Sequence, residues 1–131
     1  MKASSSELLR PSEAELKILH VLWAGKACTV RDVHDTLHAT EGTGYTTALK
    51  LLQVMYGKGL VERDDSQRAH VYRAAISKEQ TQKIFLVDLV QRVFDGSASK
   101  LVIHALGSHS ASQEELREIR VLLNKLDKQV R

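Results

Sequence analysis

The sequence predicts a mainly α-helical protein with one small β-hairpin, in which a mixed N-terminal unit precedes an all-helical C-terminal region. Three observations carry that expectation. Apolar residues recur at helical spacing between residues 18 and 55, behind residue pairs that cap helices. Two short apolar segments, residues 60–63 and 70–73, flank a polar tip. Beyond Ser77 the apolar density rises, and each further segment reads as helix.

The first helix opens at Ser12 and Glu15, whose three-residue separation makes a capping box behind Pro11. It carries Ile18, Leu19, Leu22 and Trp23 on its apolar side, and Gly25 is expected to close it. Thr29 and Asp32 repeat the capping pattern for a second helix with Val30, Val33 and Leu37 on one face. The segment TEGTG (residues 40–44) is a turn. In the third helix Ala48, Leu51, Leu52 and Met55 form one inward stripe, while Thr46, Lys50, Gln53 and Gly57 point the other way. The pair Gly57 and Gly59 favours a left-handed exit. Two strands joined by residues 64–69 then form the hairpin.

Ser77 and Gln80 cap a long helix bearing Ile84, Phe85, Leu86, Val87, Leu89, Val90, Val93 and Phe94. That surface is too wide for one face, so the helix requires cover on more than one side. Residues 95–97 break it, residues 98–106 read as a short apolar helix, and residues 107–110 read as a linker. Ser112 and Glu115 cap the last helix, where Leu116, Ile119, Leu123, Leu126 and Val130 recur at intervals of 3, 4, 3 and 4. Such intervals make a coiled-coil-like seam.

Composition narrows the function classes. At 131 residues and 43% hydrophobic content the chain can bury a core, yet no apolar run reaches the roughly 20 residues that cross a bilayer. The N-terminal MKASSSELLRPSE lacks the apolar stretch of a secretion signal, so no membrane insertion and a cytoplasmic location are expected. A single cysteine, Cys28, excludes an internal disulfide and reads as buried filler. No phosphate loop, HExxH or CxxC motif is present, and no elbow places Ser, His and Asp together. The chain is therefore expected to have no catalytic residues, no cofactor and no metal. His34 and His38 lie one turn apart, but Asp35 is read onto another face, so they count as surface histidines, as do His104 and His109.

Two helices, a turn, a third helix and a hairpin together make a winged helix-turn-helix. A helix about 10–12 Å across fits the major groove when its outer face carries hydrogen-bonding groups. Thr46 and Gln53 supply such groups, and Lys50 can reach a guanine edge or a phosphate. Tyr45, Thr46 and Thr47 stand at the helix N-terminus, where free amides favour phosphate. Arg68, His70 and Arg73 on the hairpin can grip the neighbouring backbone. Net charge is only +3, but residues 42–61 contain Lys50 and Lys58 and no acid. Double-stranded DNA is the expected partner, with a protein-interaction module of the same fold as the alternative.

The stretches SEAELKILHVLW, YTTALKLLQVMYGKGLVERD and RAHVYRA closely resemble the penicillinase repressor (BlaI/MecI/CopY) family of bacterial transcription regulators, and the resemblance runs over residues 12–126. It implies a homodimer on palindromic operators that represses nearby genes, including those for β-lactam resistance. It matches the family's recognition helix to Tyr45, Thr46, Thr47, Lys50 and Gln53, and its wing to the segment around Arg68 and Tyr72. The implied division is a winged-helix DNA-binding domain over residues 11–75 and a helical dimerisation region over 77–131. The second would pair chains through Ile84, Val87, Val90 and Phe94, and through Leu116, Ile119, Leu123 and Leu126.

Two departures qualify the resemblance. Family members that respond to β-lactams are cut by a membrane metalloprotease between Asn and Phe, whereas Ile103, His104 and Ala105 stand at that place here. A membrane sensor protease is thus implied only as an indirect partner. The copper-responsive branch carries Cys-x-Cys near its C-terminus, which this chain lacks. A metal- or ligand-responsive repressor not released by proteolysis is the remaining alternative.

Overall fold

The computed structural model describes residues 10–130; residues 1–9, read above for a secretion signal, lie outside them. The element order is α1 (Glu13–Gly25), β1 (Cys28–Thr29), α2 (Val30–Glu41), α3 (Tyr45–Lys58), β2 (Val61–Asp64), β3 (Val71–Ala74), α4 (Lys78–Arg92), α5 (Ala98–Ser108) and α6 (Gln113–Val130). Two compact units divide between Val87 and Asp88. No described helix is long and apolar enough to cross a membrane.

The first unit follows from its apolar pattern. Ile18, Leu19, Leu22, Val33, Leu37, Ala48, Leu52 and Met55 are buried between the three helices, and Leu60, Val61, Tyr72 and Ile76 close the core from the sheet side. Burying each Leu, Ile, Val or Met side chain among these contributes about 1.5–3 kcal/mol. Leu51, read as part of the inward stripe, is only half-buried, because it lies at the edge of that stripe. Trp23 anchors α1 to the segment after β3 by donating its indole N–H to the Ile76 carbonyl at 2.9 Å.

The hairpin is one part of a three-stranded antiparallel sheet in the order β1-β3-β2. Cys28 pairs with Tyr72 and Thr29 with Val71, while Val61 faces Ala74 and Asp64 faces Val71 across the hairpin. A two-residue strand is too short to show alternation, which is why β1 was not foreseen.

The helix starts follow the sequence, while several ends differ: α2 runs on to Glu41, into the expected turn, and α4 stops at Arg92, short of Val93 and Phe94. Ser12 with Glu15, Thr29 with Asp32, Ser77 with Gln80 and Ser112 with Glu115 all form reciprocal capping pairs. Gly59 takes the left-handed position after α3, at φ 82°. Gly25, expected to close α1, is its last helical residue, and Lys26 takes the positive φ of 68°. Glycine at 25 serves a different need: a β-carbon there would stand 2.8 Å from the Cys28 sulfur. Likewise α5 continues through Gly107 to Ser108 where a linker was expected.

In the second unit no described residue is buried. Leu89, Val93, Val102, Ile103, Leu106, Val121, Leu122, Leu123, Leu126 and Val130 are all exposed.

Candidate nucleic-acid interface

The α3 helix is presented outward because its other side is tied down. Ala48, Leu52 and Met55 are fully buried, and its C-terminal end is fastened to α1. There, Lys58 Nζ lies 2.9 Å from both carboxylate oxygens of Glu15, a residue only 2% exposed. Burial pushes the Glu15 carboxyl up, but the Ser12 amide, the Lys58 ammonium and the Ser12 hydroxyl outweigh it and hold the group below its ordinary value. Lys58, counted above with the basic charge of this segment, therefore has its ammonium committed inside the unit. Lys50 is exposed and ion-paired to no described residue.

Thr46, Lys50 and Gln53 are all exposed on the face opposite the core stripe. At the start of α3 the N-cap is Gly44, with no side-chain hydrogen bond to the first turn. The leading amides of this helix are thus open to an anion, in contrast to those of α1, α2, α4 and α6. Tyr45 is set in place by its neighbours: the Arg31 guanidinium stands 5.7 Å from its ring centroid, and the His34 ring meets it edge-on at 5.7 Å.

Between α3 and the hairpin lies a cleft of about 440 Å³. Tyr45 and Gln53 line it from the helix, and Arg68 and His70 line it from the hairpin tip. Arg31 and Arg63 line it as well, and sequence reasoning missed both. Arg31 follows a helix cap and Arg63 ends an apolar segment, so no periodicity marks either one. The Arg63 guanidinium stacks over Tyr56 at 4.1 Å, and its Nε approaches the Asp65 carboxylate at 2.7 Å. That approach is poorly angled for a hydrogen bond from Nε, and the directed donation comes instead from Arg63 Nη2, 3.4 Å from Asp65 Oδ2. Asp65 also lies 3.6 Å from His70 Nδ1. The tip is closed locally by the Ser66 amide, which donates to Asp64 at 2.9 Å. Arg68 projects from it as an exposed cation.

Two other expected contact residues are exposed and border different recesses. Thr47 faces a recess with Glu13, Lys17, Glu41 and Thr43. Arg73 pairs in register with Glu62 and lines a recess with Trp23, Lys26 and Ala27. Asp35, read onto a face apart from His34, in fact touches it, with Oδ1 3.1 Å from Nδ1.

Comparison with known proteins adds an independent observation. The family model described as penicillinase repressor matches residues 11–125. The transcriptional regulator BlaI of Mycobacterium tuberculosis is 30% identical over 101 residues, covering 76% of this chain and 73% of that protein. The methicillin resistance regulatory protein MecI of Staphylococcus aureus is 21% identical over 114 residues, covering 87% and 93%. Among solved structures, the DNA-binding domain of the repressor BlaI in solution is similar with a TM-score of 0.51 and 24% identity. It covers 61% of this chain and 93% of its own, a likeness of fold.

Proposed function

The chain belongs to the penicillinase repressor family, and from that premise we propose that it is a homodimeric, sequence-specific transcriptional repressor acting on palindromic operators in the cytoplasm. The family consists of repressors rather than enzymes. The observation that carries the reading is the outward face of α3. Thr46, Lys50 and Gln53 project from a helix whose opposite side is fully buried, beside a cleft that three arginines and a histidine line.

In this reading α3 enters the major groove. Gln53 and Thr46 hydrogen-bond to base edges, and Lys50 reaches a guanine or a phosphate. Arg68 and His70 meet the backbone beside the groove, which fixes register and makes binding sensitive to salt. Residues 11–75 serve as the DNA-binding domain and residues 77–131 as the dimerisation region. The exposed apolar side chains of α5 and α6 support this division, because a lone chain leaves them in water. Two linked half-sites then raise affinity well beyond one. Genes for β-lactam resistance or related stress responses are the class of target, and any membrane sensor protease acts on the system indirectly.

A gel-shift titration with the chain's own promoter region tests the proposal. Binding tighter than to a scrambled duplex by at least about a thousandfold is expected of a specific repressor. Equal affinity for both duplexes would favour a winged-helix module that binds protein instead.

A further inference from the structure

We propose that Val54 is a specificity-determining residue that reads the 5-methyl group of a thymine in the operator; the inference rests on the DNA-binding reading of α3. At 100° per residue, Gln53, Thr46, Gly57, Lys50 and Val54 follow one another around α3 within an arc of roughly 100°. Each of these residues is exposed, so the arc is the helix's open face. Val54 belongs to it beside Lys50, at 42% exposure.

Helix stability does not account for a valine at this position. A β-branched side chain loses rotamer freedom in a helix and is a weaker helix former than Ala, Leu, Lys or Gln. Core packing does not account for it either, since the buried residues of α3 are Ala48, Leu52 and Met55. Lys58, one turn further on, is turned away to Glu15, with its ammonium 2.9 Å from that carboxylate. The Val54 methyls are therefore left open beside the polar groups proposed to meet base edges.

Along the major groove the thymine methyl is the apolar group among the base edges. An apolar side chain amid Thr46, Lys50 and Gln53 complements it. The three polar residues address donors and acceptors, and Val54 distinguishes thymine from a pyrimidine without the methyl. Sequence reasoning aimed at hydrogen-bonding groups passes over this residue, because its signal is an apolar side chain on the polar face.

The test uses the full chain and duplexes enriched from a randomised library. The most enriched duplex is compared with copies in which each thymidine in turn is replaced by deoxyuridine, which removes only the methyl. Loss of one buried methyl should weaken binding of the unaltered protein by roughly fourfold at one thymine position per half-site. V54A should bind the thymine duplex more weakly by a similar factor, should not distinguish uracil from thymine at that position, and should keep its melting temperature. The inference is overturned if deoxyuridine is neutral at every position, if V54A retains the same discrimination, or if the enriched half-site contains no thymine. Failure of any sequence to be enriched would remove the DNA-binding reading itself, an outcome distinct from these. The deoxyuridine comparison needs no variant and stands even if V54A fails to fold.

Discussion

Glu15 shows how one residue can serve both local structure and the interface. Its carboxylate accepts from the Ser12 amide at 2.8 Å, as a capping box requires, and also holds Lys58 at the far end of α3. The sequence pattern disclosed the first role and concealed the second, because 43 residues separate the partners. Since the folded carboxyl titrates below its unfolded value, this interaction contributes fully above the unfolded value of about 4.3. Its contribution falls away as the pH drops from there through the folded value. Lys58→Met leaves a buried carboxylate without its cation, and a loss of about 2 kcal/mol is expected in urea unfolding at neutral pH. Below pH 4 the difference between the variant and the unaltered chain should shrink. A constant difference across that range would mean that the pair is not what couples α1 to α3.

At the scale of elements, legibility depended on how local the signal was. The capping boxes and the inward stripe of α3 lie within a turn or two of chain, so the helices and the exposure of Thr46, Lys50 and Gln53 could be read directly. The third strand could not, since Cys28 and Thr29 become a strand only by meeting Tyr72 and Val71. Arg63 was invisible for a related reason. Its place between Tyr56, Asp65 and Tyr72 exists only once the hairpin folds back along α3. Gly25 was legible as a helix end but misread as to cause. The sulfur of Cys28 requires the absent β-carbon, while Lys26 bears the positive φ at an expected strain of about 1–3 kcal/mol. Contacts made across the fold thus account for what the sequence left hidden, in the core and in the cleft alike.

For the whole molecule, the contrast between the two units is the informative feature. The first has a core of buried apolar residues, whereas the second has none among its described residues and leaves Leu123 at 56% and Ile103 at 69% exposure. On the dimeric reading proposed above, a second chain would cover these side chains, and the 3, 4, 3, 4 seam of α6 is the surface it would meet. Leu123→Asp places a charge in that seam. Sedimentation should then report monomers, and operator affinity should fall by about a hundredfold or more as the linkage of half-sites is lost. A dimer that persists would place the association surface elsewhere. The claim on which function depends is that the open face of α3 distinguishes one base sequence from another. Its most direct measure is the ratio of affinities for the promoter duplex and a scrambled duplex, taken for the unaltered chain and for a variant with Thr46, Lys50 and Gln53 all changed to Ala. The expected result is a ratio that collapses toward unity in the variant with no fall in melting temperature; a ratio that survives the triple change would contradict the assignment of that face to DNA.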